Sequence, residues 1–455
     1  MTNGQTSLVG EAEPGRSSSP VLSRGGVLSL LRAALLGVAL LCLYYQPLGV
    51  LVYGLTGLSV NFALLRLVLL ALLATSVLVS GRLRWVSLLA GMGLLVLVTG
   101  LGLLHGVSGG DVPEVVGTLV MPLCLVLALS YRGSTLRHER LAVRALLVGM
   151  VLWALIGFAQ YVTNRPLFLA ESLGARQLDL RDINYIWQFN DHVRAFSLFY
   201  SNGYYAFFLN LALSVAFAFA LLALYARRFG RAALWAALAL LFGAAVYTSL
   251  TRSALLQAVL SLEVLAVLAY SVRRRRVDTR KRNAVLVRTL ILCGLTLGSL
   301  LWFASGIRAV QQEARDLRNT QSLSVRFENW SALLAYFGRQ PRAWVAGEFI
   351  TSNEVVTGSF QMHNAQGEKK ALVVDNGYLA LLLFGGLPYL LLILSLQIYV
   401  IREALSDFLR SRSGYSLGLA GFLASTLLYS YFGSVNDIIA TVAVFYLVTR
   451  RRLRP

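Results

Sequence analysis

The sequence predicts an all-α fold: a polytopic membrane helix bundle of about twelve transmembrane helices with a large, partly helical outer loop. Three observations carry that expectation. Hydrophobic residues make up 57% of the 455-residue chain and charged residues only 14%, whereas soluble domains carry roughly 25% charged residues. Uncharged windows long enough to cross a bilayer recur along the chain. Short arginine-rich segments separate them.

Taken in order, the spans are expected at 27–46, 62–80, 85–104, 114–130, 144–162, 197–222, 232–247, 252–271, 285–305, 373–400, 415–432 and 436–450. The Gly-rich apolar stretch 48–60 is short, and reads as a re-entrant segment or an extension of a neighbouring helix. Residues 1–26 are rich in Gly, Ser and Pro and are expected as a disordered cytoplasmic tail. They do not read as a signal peptide, because the first apolar run is too long and no small-residue cleavage site follows it. The blocks are then the tail 1–26, helices one to nine over 27–305 with an outer loop at 163–196, a large outer loop at 306–372, and helices ten to twelve over 373–455.

The net charge of +20 does not point to nucleic acid, because the basic residues, almost all arginine, lie between the apolar runs. With the N-terminus inside, the inner segments collect more than twice as many basic residues as the outer ones. They include Arg82, Arg84, Arg132, Arg137, Arg227, Arg228, the run Arg273–Arg276 and the tail Arg450–Arg454. The short loops 105–113 and 433–435 carry none. Both termini are therefore expected in the cytoplasm, with both long loops outside. Cys42, Cys124 and Cys293 each sit in an apolar run with neither disulfide nor metal-ligand spacing, so they read as helix-packing residues.

Loops beyond about 15 residues are usually functional or disordered. The second long loop contains "SLSVRFENWSALLAYF", in which Leu323, Phe327, Trp330, Leu334 and Phe337 recur at helical spacing. It is expected as a helix lying on the outer membrane surface or capping the bundle. No internal repeat is visible, which argues against transporters built from inverted repeats.

Ionisable groups within spans default to functional hypotheses. Arg252 opens the eighth span, Asp375 the tenth and Asp437 the twelfth, all outside. Arg194 and Asn202 flank the start of the sixth, Arg66 lies near the outer end of the second, and Glu263 lies deeper in the eighth. The cluster lies at the outer rim and not at the midplane. Arginines without an acidic metal-binding cluster suit a polyanion, because guanidinium matches phosphate oxygens. A diphosphate lipid has such a headgroup and keeps its tail in the bilayer. Each residue also has a plainer reading. Arg252 can anchor a helix by snorkelling. Arg326 can pair with Glu328 or Glu313, Asp375–Asn376 can cap a helix, Arg66 can hold a carbonyl or carboxylate, and His363 can be a solvated loop residue.

Four stretches together resemble the O-antigen ligase and O-antigen polymerase superfamily. They are "RAFSLFYSNGYYAFFL" from Arg194, "TSLTRSALL" around Arg252, "SVRFENWSALLAYFGRQPRAWVAGEF" around Arg326, and "DNGYLALLLFGGLP" from Asp375. The resemblance covers about 194–390. It implies a GT-C-like bundle in a bacterial cytoplasmic (inner) membrane, with the active site on the outer face. It assigns Arg252 and Arg326 to the lipid diphosphate. Asp375 falls where ligases carry a His in a His-Asn-x-Tyr-Leu pattern, and an acidic residue there looks more like polymerase-type members. The implied catalytic set is Asp375, Arg252 and Arg326, with Arg194, Asn202, Arg66, Asn376, Tyr378 and His363 as substrate-binding candidates. The implied partners are a polyprenyl-diphosphate-linked glycan donor, a glycan or lipid acceptor, and membrane lipids; no cofactor, nucleotide sugar or metal is called for. A polymerase of lipid-linked repeats is the leading reading. The alternatives are an O-antigen ligase acting on a lipid A core or another acceptor, a polysaccharide transporter or flippase, a peptidoglycan polymerase and a scaffold.

Overall fold

The structure is a computed structural model, which describes residues 24–58, 62–80, 84–105, 112–165, 188–189, 192–199, 202–274, 321–350, 361–363, 369–371, 376–430 and 436–450. Among these, eight helices are long and apolar enough to cross a membrane. They are α1 (Arg24–Leu43), α3 (Phe62–Ser80), α4 (Trp85–Leu104), α6 (Leu136–Thr163), α7 (Asn202–Tyr225), α8 (Phe229–Thr248), α9 (Arg252–Arg274) and α12 (Gly377–Ser411). Shorter apolar stretches lie within α5 (Val112–Ser130), α13 (Gly414–Tyr429) and α14 (Asn436–Thr449). The protein is thus a multi-pass helical membrane protein. The span expected at 285–305 and the tail up to residue 23 lie outside the described residues, while α1 begins at Arg24, inside the block expected as tail.

Within the stretch 48–60, the residues up to Thr56 belong to a separate helix, α2 (Tyr45–Thr56), too short to span, and 59–60 lie outside the described residues. The helix ends at Gly57, whose positive φ of 69° suits a residue without Cβ. In the long loops lie α10 (Gln321–Arg339), α11 (Pro341–Ala346) and two small antiparallel ladders. These ladders are β1–β2 (Gln188–Phe189, His192–Val193) and β3–β4 (Gln361–His363, Lys369–Ala371).

α7 forms the centre of the bundle. It packs against α6, α8, α9 and α13, and Phe207, Phe208, Leu211 and Val215 are fully or almost fully buried. Close approach is possible because the facing positions are small: a Cβ on Gly418 of α13 would lie 2.6 Å from the Val215 Cα. A second layer of α1, α3, α5 and α14 closes the other side. The outward faces carry exposed apolar side chains such as Leu78, Leu104 and Val162, as a lipid-facing surface requires.

A distinct apolar cluster joins α4, α10, α11 and α12. It contains Trp330, Leu333 and Phe337 of α10. The helical face expected in this loop is corrected by one position, since Leu333 is buried and Leu334 is 49% exposed. Leu323 and Phe327 have side chains outside the described set.

Arg450, expected among the cytoplasmic basic residues, has a fully buried side chain. It pairs with Asp407 at 2.7 Å and Glu403 at 3.0 Å, while Arg84 approaches Glu403 at 3.4 Å. Burying the guanidinium is tolerable only because two carboxylates neutralise it.

Candidate functional site at the long-loop end

The loop preceding α7 is held by three anchors. The Val193 N–H donates to Asn164 Oδ1 at 2.6 Å, the Ala195 N–H to the Thr248 carbonyl at 3.0 Å, and the Phe196 and Ser197 N–H groups to Gln160 Oε1 at 3.1 and 2.7 Å. Every residue from Val193 to Phe199 is buried except Arg194, which is half-buried. The sequence singled out Arg194 but missed Gln160, because a polar residue in the last turn of a helix carries no distinctive pattern.

Thr248 ends α8, and a tight turn then leads to Arg252 at the start of α9. The Ser249 N–H donates to the Val246 carbonyl and the Leu250 N–H to Tyr247, with Leu250 at φ 50°. Asn202, buried at the start of α7, donates its amide to the Ser249 carbonyl at 3.3 Å and to Thr251 Oγ1 at 3.0 Å. The segment bearing Arg194 is therefore hydrogen-bonded to the end of α8, four residues before Arg252, and Asn202 ties the turn between α8 and α9 to α7. The Arg252 side chain lies outside the described set.

The start of α12 is the next element. Asn376 caps the helix, its side chain accepting from the Tyr378 N–H at 3.0 Å and the Leu379 N–H at 3.2 Å. The Gly377 N–H donates to the Ser430 carbonyl at 2.7 Å, and the Tyr378 hydroxyl donates to the Leu427 carbonyl. Asp375 itself, one residue before the cap, lies outside the described residues.

The α13 helix lies between the starts of α9 and α12. The hydroxyls of Ser261 and Ser425 are 2.6 Å apart, and Gly421 lies against Leu265, so α9 and α13 run antiparallel at matched depth. Arg252 lies about two and a half turns above Ser261, and Ser430 about one and a half turns above Ser425. Both helix starts thus belong to the same end of the bundle.

The third element is the large loop. α12 is broken at Gly385–Gly386, where the dihedrals leave the helical region, and Pro388 cannot donate to the Phe384 carbonyl. The freed carbonyls are taken by the loop: the Glu348 N–H donates to Leu383 at 2.7 Å and the Phe349 N–H to Phe384 at 3.1 Å. Gly347 lies against Gly385 and Gly386, and His105 at the end of α4 stacks on Phe349. Tyr336 of α10 donates to Glu348 at 2.5 Å. Burial first, then this hydrogen bond and the carboxylate charge, push the phenol above its ordinary range, so it stays a neutral donor.

The remaining candidates are spread around this end. Arg326 lies in α10 one turn before Trp330, and His363 in β3 is paired with Lys369 of β4; both side chains lie outside the described set. Arg66 sits in α3, whose neighbours are α1 and α5, and its guanidinium lies 5.8 Å from the Tyr45 ring centroid. The structure draws Arg194, Asn202 and the Arg252 backbone into one node, and Asn376 and Tyr378 into the adjacent one. Arg66 belongs to the other side of the bundle.

No curated protein matches the chain at a significant level. Residues 236–394 match the family model described as O-antigen ligase (Wzy_C). The matched stretch runs from α8 into α12, and so contains Arg252, Arg326, the loop docked on α12, and Asp375; Arg194 and Asn202 precede it. This match, over about a third of the chain, supports the resemblance to the O-antigen ligase/polymerase superfamily.

Proposed function

We propose that the protein polymerises glycan repeats carried on polyprenyl diphosphates at the outer face of a bacterial cytoplasmic membrane, with both termini in the cytoplasm. The observation that carries this reading is the bond from the Arg194 segment to the end of α8, between Ala195 and Thr248, four residues before Arg252. This bond supports the reading by holding two arginine-bearing backbone segments close together, as a clamp on a diphosphate headgroup requires.

The acceptor sugar hydroxyl attacks the anomeric carbon of the donor glycan. The new glycosidic C–O bond forms as the bond to the diphosphate oxygen breaks, and the polyprenyl diphosphate leaves with the electron pair. Arg252 and Arg326, with Arg194, stabilise the charge growing on that diphosphate by preorganised electrostatics. The hydroxyl proton passes to the Asp375 carboxylate as general base. A single displacement inverts the anomeric configuration. Asn202 and Tyr378, whose polar groups are bonded to protein, support the site by holding helix ends in place. Neither a nucleotide sugar nor a metal takes part in this scheme.

The family match favours a second reading, in which finished glycan passes to a lipid A core or another acceptor. The chain-length profile of surface glycan in a deletion strain separates the two. Single repeats capped on the acceptor support the polymerase, whereas long polymer stranded on the carrier lipid supports the ligase.

A further inference from the structure

Gln160 stands in the last turn of α6 and is completely buried. Its carbonyl closes the helix by accepting from the Asn164 and Arg165 N–H groups. Its side chain meets the incoming loop edge-on: Oε1 accepts from the Phe196 and Ser197 N–H groups, and Nε2 donates to the Ser197 carbonyl at 2.8 Å. An amide offers the donor and acceptor of a peptide group on a side chain. Only one of its two orientations satisfies these three bonds, so its geometry is fixed.

The loop depends on that fixing. Ser197 has a φ of 54°, a conformation that a residue with a Cβ adopts only when its surroundings enforce it. Phe196 is fully buried, and the Phe199 N–H closes a turn onto its carbonyl. Upstream of this knot lies Arg194, flanked by the Asn164 and Thr248 anchors. With the Gln160 bonds gone, the strained Ser197 would relax, and the Arg194 backbone would lose its downstream support.

We infer that Gln160 is a positioning residue for Arg194, and that it sets where this guanidinium meets the diphosphate of a polyprenyl lipid. The inference rests on the proposed role of Arg194. Gln160 does not touch the lipid, and its influence runs through the 195–197 backbone.

The test is a double-mutant cycle on full-length protein in phospholipid nanodiscs, titrated with glycan-free undecaprenyl diphosphate. Arg194→Ala should weaken binding roughly tenfold or more, as expected for the loss of a charged hydrogen-bonding group. Gln160→Leu should weaken it several-fold, and Gln160→Glu less, because a carboxyl group that stays protonated in this buried place accepts from the two N–H groups and donates to the Ser197 carbonyl. In the Arg194→Ala background, Gln160→Leu should produce no further loss, since coupled residues are not additive. Equal losses in both backgrounds would mean general loosening and overturn the inference, as would unchanged binding in Gln160→Leu when Arg194→Ala binds weakly. If Arg194→Ala itself binds normally, the proposed role of Arg194 fails first. Should Gln160→Leu not fold, as judged by its thermal transition, the same cycle is decided with Gln160→Glu.

Discussion

Glu348 donates its backbone N–H to the carbonyl of Leu383, joining the large loop to the interior of a membrane helix. The bond exists because α12 is interrupted two residues later. Without the Gly385–Gly386 break and Pro388, the Leu383 and Phe384 carbonyls would be consumed within the helix. Irregular backbone at membrane depth persists where protein satisfies it, and here the loop does so. α10, which carries Arg326, is thereby coupled to the helix that follows Asp375.

Substitutions at this junction should separate sharply by position. A Cβ on Gly386 would lie 2.4 Å from the Val345 carbonyl oxygen, on a residue with φ 66°. One on Gly347 would lie 2.7 Å from the Gly386 nitrogen. Gly386→Ala and Gly347→Ala should each destabilise by roughly 1–3 kcal/mol. Gly338→Ala in α10 meets open space and should be neutral or stabilising. Melting temperatures in detergent compare the three.

Arg252→Lys should fail nearly as badly as Arg252→Ala, with a loss of roughly 10²–10³ in transfer rate. A lysine offers a point charge and cannot reproduce the planar fork on a phosphate. Full-length glycan made by the lysine variant would remove the bidentate role.

Asp375→Asn should abolish product, with a loss of about 10²–10⁴ in rate, while lipid-donor binding is retained. Donor binding by titration and product by gel profile separate the two effects. Polymer still made by this variant would rule out Asp375 as the base.

Arg450→Ala should destabilise by about 3–5 kcal/mol, because Asp407 would lose the guanidinium that neutralises it in a buried site, while Glu403 would keep only Arg84. Replacing Arg450, Asp407 and Glu403 together with apolar residues should recover most of that loss, as read by thermal unfolding of the purified protein.

The helices were legible because apolar run length alone sets a membrane span. Charge placement likewise located Arg252 at a helix start, and Arg252 does open α9. Tertiary detail was not legible. A helix carrying both Trp330 and Phe337 can turn either Leu333 or Leu334 inward, and only the packing against α4 and α12 decides. Arg450 looks identical in sequence to its neighbours Arg451 and Arg452, and its burial depends on Asp407 and Glu403 more than forty residues away. Gln160 and Asn164 were invisible because their partners are backbone amides, which every sequence supplies. The caps were half legible: Asp375–Asn376 suggested one, and Asn376 provides it.

The hydroxyl pair Ser261–Ser425 bears on sliding. Apolar helices in lipid have little to choose between neighbouring alignments, since each methyl group exchanges one apolar contact for another. Ser425 donates to the Phe422 carbonyl, so the Ser261 hydroxyl donates to Ser425; the pair acts as a latch, because slipping it costs the Ser261 hydroxyl this bond in apolar surroundings. One turn of slip between α9 and α13 would carry Arg252 about 5.4 Å along the axis. That distance exceeds the reach of any hydrogen bond, so a pair of serines buried in the bundle holds the register in which the Arg252 backbone stands against α13.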